Sequence, residues 1–442
     1  MSLYRTRNDY ASWGRVVRAP HQVWRPNFLD ELDAFAKADP GGAPWLPVGL
    51  RRSYGDTPLN AGGRLIDMTG LDRLISFDRE KGVLRCEAGA SIDDLLQVLV
   101  PHGWFLPTTP GTRFVTMGGA VANDVHGKNH HQAGSLGCHV QNLTLARSDN
   151  APSRLAPGDE LFDATLGGLG LTGLIMEVEL QLAPIRSAFL DVERIAFSNV
   201  AEFFGLAEAS ATDFEHTVAW IDCANGGRAL GRGIFQRANW REDGELVTHA
   251  RSAGPTMFLD LPRGVLNGTT VRLFNSVYNS LQQRGDRVSK IHYAPFFYPL
   301  DSIRHWNRMY GKDGLYQYQC VVPPATARDA TAELVRIIAA SGAASFLAVL
   351  KTFGRRQSGG LLSFPMQGAT LALDFANRGQ ETLDLMARLD RVVAEAGGHL
   401  YPAKDGRISA AMFQAGYPAW EKMQELKDPA ISSDFWKRVS RS

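Results

Sequence analysis

Long hydrophobic runs are what this chain most plainly lacks. No stretch approaches the roughly 20 apolar residues that a bilayer-spanning helix needs. Met1–Pro20 carries Arg5, Arg7, Asp9, Arg15 and Arg18 where a secretory signal would have its apolar core. The expectation is a cytoplasmic protein, or one peripheral at a membrane. Cysteine is scarce as well: Cys86, Cys138, Cys223 and Cys320 lie far apart and form no CxxC pair. Such spacing argues against a thiolate zinc site or a disulfide framework and reads as buried thiols in a reducing compartment. Charge of one sign is missing too. The 47 basic and 46 acidic residues leave a net charge of +1, so the balance gives no reason to expect a nucleic-acid partner. Internal repeats and low-complexity tracts are absent.

What is present is enough apolar material for a large core. Of 442 residues, 44% are hydrophobic and only 21% charged, which suits two or three domains. Up to about Pro184 the chain is rich in glycine and turn dipeptides between short apolar runs. Arg64–Met68 and Gly82–Ala88 read as strands, and Ser91–Val100 as a helix capped by Ser91. Leu174–Leu182 alternates apolar with acidic or polar positions, as a half-buried strand does. Beyond Pro184, Phe189–Phe197 and His216–Cys223 read as strands around a helix at Val200–Ala211. Asn239–Asp286 fits neither period and reads as a functional loop, a mobile lid or a polar linker. Order returns with strands at Tyr316–Val322, Ser345–Phe353 and Thr370–Phe375. The helices Thr326–Ser341, ending at Gly342, and Gln380–Ala396 accompany them. Strands alternating with two sizeable helices imply an α+β chain whose antiparallel sheet is covered on one face.

Gly168–Gly173 spells GxGxxG, yet it leads into the strand-like Leu174–Leu182 and not into a helix. A nicotinamide-binding turn needs a helix to start there, so that reading is set aside. Other glycine stretches matter more: Arg52-Ser53-Tyr54-Gly55-Asp56, Pro110-Gly111-Thr112, and Gly118-Gly119-Ala120 running on to Asp124–His131. Each offers backbone N–H groups with little side-chain obstruction, which suits a diphosphate.

Taken together, these segments resemble the vanillyl-alcohol oxidase and p-cresol methylhydroxylase superfamily of FAD enzymes, and within it the decaprenylphosphoryl-β-D-ribose 2-oxidase family. The resemblance spans nearly the whole chain. Its carriers include Trp13-Gly14-Arg15, the His126-Gly127-Lys128-Asn129-His130-His131 run with Ala133-Gly134-Ser135, and Gly170–Gly173. Trp306-Asn307-Arg308, Gln317-Tyr318-Gln319, Ser363-Phe364-Pro365, Asp374-Phe375 and Ala403-Lys404-Asp405 continue it. It implies a two-domain FAD-binding fold of the p-cresol methylhydroxylase type. Residues 1–183 would form the main FAD-binding part, 184–398 an antiparallel-sheet substrate domain, and 399–442 a return to the FAD domain.

The resemblance further implies FAD contacts from Arg52, Ser53, Tyr54, Gly55, Asp56, Pro110, Gly111, Thr112, Gly118, Gly119, Ala122, Asn123, Val125, His126, Gly127 and Asn129. Gly134, Ser135, Gly170, Thr172, Gly173, Ile175 and Tyr401 complete that set. Many relatives tether FAD through a histidine in the first glycine loop; Leu50–Tyr54 has none, which implies non-covalent FAD. Arg51 stands where the family usually has glycine, and Thr370-Leu371-Ala372 where mycobacterial relatives carry Asn-Ile-Cys.

Oxidising a CH–OH group removes a hydride and a proton, so the protein must supply orientation, electrostatics and a proton acceptor. Lys404, His126 and Tyr54 are the candidate catalytic residues, Lys404 as a cation beside the flavin and sugar hydroxyl. His126 reads equally as a flavin contact or a packed histidine, and Tyr54 as a buried tyrosine. His126, His130, His131 and His139 would permit a metal, but Asp124 is the only acid nearby and no metal is expected. Substrate contacts are expected from His126, Lys128, Tyr298, Gln317, Gln319, Val349, Lys351, Thr370, Ala372 and Lys404, with Trp306 at the border. Lys351 would meet a phosphate.

The expected reaction is oxidation of the ribose 2-hydroxyl of a polyprenylphosphoryl ribose, the first half of an epimerisation completed by a short-chain reductase partner. A soluble polyol or aldonolactone oxidase, and a flavin-binding assembly or electron-transfer subunit, are the alternatives. Met257, Phe258, Leu259 and Leu261 would admit a polyprenyl tail or form a partner surface.

Overall fold

The computed structural model describes residues 4–32, 35, 42–250, 254–343 and 345–441. Its backbone is organised by three larger sheets. The first has four strands in the order Arg5–Arg7, His21–Trp24, Arg64–Asp67, Trp45–Val48, the last three mutually parallel. The second is antiparallel with five strands, in the order Leu74–Asp78, Val83–Glu87, Leu174–Gln181, Val140–Ala146, Ser153–Leu155. Ser91 caps the helix Ile92–Leu99 by accepting from the Asp94 N–H. No helix begins within Gly168–Gly173, which turns directly into the strand Leu174–Gln181.

An eight-stranded antiparallel sheet carries the other half of the molecule. Its order is Val288–His292, Phe189–Phe197, Gly233–Trp240, His216–Ile221, Ala348–Phe353, Gly368–Ala376, Leu315–Val322, His399–Leu400. Register decides which side chains share a face. Gln317 lies opposite Asp374, Gln319 opposite Ala372, Val349 opposite Ala372, and Lys351 opposite Thr370. With a period of two, all of these point to one side. Tyr318, Cys320, Leu350, Leu371 and Leu373 point to the other. There they pack with Leu334 and Ile338 of the helix Ala327–Ser341 and with Leu385 and Leu389 of the helix Gln380–Glu395. That second face is ordinary apolar core, and burying it is the main stabilising contribution.

Asn239–Asp286 is not irregular throughout. Gly268–Arg284 is a 17-residue helix, opened by an Asn267–Thr270 capping box. Its pattern misleads because the packed side holds Asn275 and Asn279 beside Val271, while Leu273, Phe274, Val277 and Leu281 face out. The strand expected at Ser345–Phe353 is shorter, Ala348–Phe353, because the Ser345 hydroxyl donates to the Leu347 carbonyl and closes a turn.

After His399–Leu400 the chain crosses to the first half. Ala403 accepts from the Tyr54 N–H at 2.9 Å, and Ile431 pairs with Trp45 beside the first sheet. Among the described residues, no helix is long and apolar enough to cross a membrane.

Candidate active site

The inward face of the eight-stranded sheet and the glycine loops of the first half enclose a cavity of about 1320 Å³. A single small-molecule site occupies about 300–1,000 Å³. The cavity therefore has room for two ligands.

One wall is built from loops. Arg52, Ser53 and Tyr54, Pro110–Thr112, Gly118, Gly119, Ala122, Asn123, Val125, His126 and Gly127 line it, with Gly170, Gly173 and Ile175. Arg52 is fixed by donating to the Phe114 carbonyl at 3.1 Å, with its guanidinium 4.2 Å from the Trp13 ring centre. Burial lowers its pKa to about 10. Arg51 takes a left-handed backbone, φ +53°, the conformation that favours glycine. Its guanidinium lies 3.8 Å from the Tyr10 ring centre, and one terminal nitrogen is buried with no hydrogen-bond partner among the described residues.

The opposite wall is the sheet. Gln317, Gln319, Val349, Lys351, Thr370 and Ala372 line it from one face, and Tyr401, Ala403 and Lys404 close the end. The Lys404 ammonium sits 4.2 Å from the Tyr54 ring centre. Tyr401 donates to the Asn123 carbonyl at 2.9 Å and stacks on Phe364 at 4.4 Å. Behind Gln317 lies Asp374, whose Oδ1 accepts from the Gln317 amide at 2.6 Å and whose Oδ2 has no hydrogen-bond partner among the described residues.

Electrostatically this end is unusual. Lys128, Lys351 and Lys404 are all drawn out of water, and burial lowers their pKa values to about 7, 7 and 8. Lys351 is held down further by Lys404, whereas Asp374 pushes Lys404 back up. Burial raises the Asp374 carboxyl to about 7. Lysines held near neutrality can exchange a proton at working pH and welcome an anion.

His126 joins the two walls. Its Nε2 meets the Gln319 amide at 3.0 Å and its Nδ1 the Lys351 ammonium at 3.2 Å. Burial, then Lys351, hold its pKa well below the ordinary value, so the ring stays neutral. A neutral imidazole carries one ring proton. The Gln319 and Lys351 nitrogens therefore compete for the ring's one lone pair, and the ring can accept from only one of them.

Several expected site residues stand behind the wall. Gly55 packs so tightly that a Cβ there would lie 1.4 Å from the Asp405 carbonyl oxygen. Asp56 pairs with Arg438 at 2.7 Å, and Asn129 donates to the Pro107 carbonyl at 2.8 Å. Ser135 donates to Asp124 at 2.8 Å, next to Gly134 at φ +75°. Thr172 bonds Thr165 at 2.9 Å, and the Tyr298 hydroxyl bonds Thr109 at 2.7 Å. These residues shape the loops and do not reach the cavity.

The histidines diverge. His131 bonds the Phe214 carbonyl and His139 the Ala133 carbonyl, both at 2.9 Å, while His130 packs on Phe353 at 4.3 Å. Among the described residues no group of histidine, cysteine and acidic side chains is arranged to hold a metal.

Sequence reading missed the apolar end of the cavity. Trp220, Leu266, Phe274, Tyr278, Ile303 and Phe346 line it. Trp220 meets Tyr278 edge-on at 4.9 Å, and Phe274 meets Phe346 at 5.8 Å. The signal was present as the helical spacing of Leu273, Phe274, Val277, Tyr278 and Leu281.

Comparison with known proteins matches residues 20–151 to an FAD binding domain. Decaprenylphosphoryl-β-D-ribose oxidase of Mycolicibacterium smegmatis is 35% identical over 419 residues, 91% of this chain and 90% of that protein. The chain belongs to the decaprenylphosphoryl-β-D-ribose oxidase family. An uncharacterized Streptomyces coelicolor protein is 31% identical over 364 residues, 78% of this chain and 98% of its own. L-gulono-1,4-lactone dehydrogenase of Mycobacterium tuberculosis is 30% identical over only 178 residues, 40% of this chain and 41% of that one.

As a member of the decaprenylphosphoryl-β-D-ribose oxidase family, the protein is an FAD-dependent oxidoreductase. The loop wall fits that cofactor. A Cβ on Gly111 would meet nothing, so backbone is open to a ligand there. The orphaned Arg51 nitrogen and the unpartnered Asn123 Oδ1 are buried polar atoms in the same wall, and a bound polar group would satisfy them. Arg51→Ala should weaken FAD binding roughly 10- to 100-fold, the loss of one charge-assisted hydrogen bond. Titrating the apoprotein with FAD by fluorescence quenching measures it; unchanged affinity would free Arg51 of that contact.

Proposed function

We propose that the protein oxidises the ribose 2-hydroxyl of a polyprenylphosphoryl ribose to the 2-keto sugar. This is the first half of an epimerisation towards an arabinose donor, with a separate short-chain reductase as partner for the second. The observation that carries the reading is the polarity of one cavity. Lysines and amides line one part of it, and Trp220, Phe274, Tyr278 and Phe346 pack on one another as an apolar gallery in another. A phosphorylated sugar on a lipid tail has the same order of groups. A soluble polyol would leave the gallery without a use.

The division into a p-cresol methylhydroxylase-type FAD domain, residues 1–183 with 399–442, and a substrate domain, 184–398, belongs to the same reading. The first glycine loop contributes Leu50, Arg51, Arg52, Ser53 and Tyr54 to the wall and no histidine, which supports non-covalent FAD. Bound FAD supplies the hydride acceptor. Lys404 would take the hydroxyl proton as a neutral amine, and the resulting ammonium would stabilise negative charge developing in the buried site. Gln317 and Gln319 orient the sugar hydroxyls. Asp374 holds Gln317 in place from behind. Lys351 and Lys128 meet the phosphate, and His126, locked between Lys351 and Gln319, keeps phosphate and sugar in register.

Lys351→Met should raise KM by about 10- to 100-fold with a smaller change in kcat, because the charge pair is made equally in ground and transition states. Steady-state assay on the lipid-linked substrate reads it. The reading as a whole is tested by the absorption spectrum of the anaerobic holoprotein before and after adding polyprenylphosphoryl ribose. Bleaching of the flavin is expected. Bleaching by a soluble polyol or aldonolactone alone would move the substrate class, and bleaching by neither would leave an assembly or electron-transfer role.

A further inference from the structure

The helix Gly268–Arg284 is amphipathic in the inverse sense. Asn275 and Asn279 are buried, and Asn275 donates to Asp222 at 3.1 Å and to the Ser345 carbonyl at 3.3 Å. Leu273, Phe274, Val277 and Leu281 are instead 67%, 50%, 50% and 61% exposed. At 3.6 residues per turn those four share an arc of about 100°. A surface helix of a water-bathed protein buries such a stripe.

The apolar surface continues past the helix. Phe258 and Leu259 are 76% and 75% exposed. The Met257 N–H donates to the Arg304 carbonyl, which sets this pair beside Ile303 and Arg304. Val265, Phe274 and Ile303 are exposed and also line the cavity, so the apolar surface surrounds its mouth. Contiguous apolar patches of this kind mark interaction sites.

Charge identifies the occupant. Between residues 263 and 290 the chain carries five cations against Asp286; Arg263, Arg287 and Lys290 pair with Asp313, Glu193 and Glu245, which leaves Arg272 and Arg284. Arg284, at the helix end, and Arg304, at the mouth, make no ion pair among the described residues. A second copy docking face to face would set this basic rim against itself, which is repulsive. Anionic lipid headgroups complement the rim, and acyl chains complement the stripe, as for helices that lie in a membrane interface.

We propose that the outward face of the Gly268–Arg284 helix, with Phe258 and Leu259, is a membrane-docking surface that seats the cavity mouth on an anionic bilayer. The proposal rests on the lipid-linked substrate reading for its purpose: a tail entering there passes from acyl chains to the apolar gallery without crossing water.

The test is flotation of the FAD-loaded full chain with phosphatidylglycerol–phosphatidylcholine vesicles, and with phosphatidylcholine alone, without substrate. Binding to the anionic vesicles is expected, weakened by salt. It should fall roughly tenfold or more in the combined variant Leu273→Ser, Val277→Ser, Leu281→Ser, none of which lines the cavity. Should that variant fail to hold flavin, Arg284→Glu alone should still lower binding to anionic vesicles. Flavin bleaching by detergent-dispersed substrate should be unchanged in either variant, so loss of docking and failure of the substrate reading give different results. No vesicle binding, or binding untouched by these changes, overturns the proposal. So does a dimer, seen by light scattering, that these substitutions split while vesicles bind neither form.

Discussion

Lys404→Ala is expected to slow flavin bleaching by about 10²–10⁴-fold, the usual contribution of a positioned proton acceptor. Flavin should stay bound, because the glycine-loop backbone and the Arg51 and Arg52 side chains that line the cavity are left in place. Lys404→Arg should fail similarly, since a guanidinium stays charged and cannot accept a proton. The pH profile sharpens the assignment. Burial lowers Lys404 to about 8, and a base acts in its deprotonated form. The wild-type bleaching rate should therefore rise with pH up to about 8 and level off above it. Anaerobic stopped-flow absorbance measures all three. A Lys404→Ala variant that bleaches at the wild-type rate would remove the residue from the reaction, and a flat profile in the wild type would leave it only an electrostatic role.

The second large effect is structural and lies away from the reacting groups. Arg438 donates to Asp56 at 2.7 Å and to Asp405 at 3.0 Å, tying the first glycine loop to the turn that carries Lys404. Asp405 also accepts from the Ile408 N–H at 2.9 Å. Arg438→Met would leave two buried carboxylates without their cation and should cost about 3–5 kcal/mol of stability. Burial already raises the Asp56 pKa against the pull of Arg438. Without the guanidinium it rises further, so the folded state holds a proton that the unfolded chain releases. Stability of the variant should then fall as pH rises above the ordinary carboxylate range, and its deficit should narrow in acid. Chemical unfolding at several pH values reads this. A deficit independent of pH would mean that packing, not charge, is what Arg438 contributes.

Most strands and helices were legible because their signals are local. The alternation in Leu174–Leu182 and Phe189–Phe197 matches the observed strands closely, and Ser91 and Gly342 cap the helices they were expected to cap. The GxGxxG at Gly168–Gly173 was rejected on context, and no helix starts there. The Gly268–Arg284 helix was missed because the usual inference ties apolar residues to the core, and here the asparagines face in. Among the expected site residues, position on a glycine loop was a good guide to the cavity wall but could not separate lining from support. Gly55 and Asp56 adjoin Tyr54 in sequence yet turn towards Asp405 and Arg438.

By itself, the sequence determined the α+β texture, the glycine loops suited to a diphosphate and the resemblance to a flavin oxidase family. Each depends on a few neighbouring residues, through side-chain period, turn chemistry and backbone freedom. Tertiary structure alone decided that Lys128, Lys351 and Lys404 share one buried end, that Asp374 stands behind Gln317, and that an apolar gallery leads away from them. Those facts arise where segments hundreds of residues apart exclude water together. It is the removal of water, not residue type, that brings a lysine near neutrality and makes it useful for chemistry.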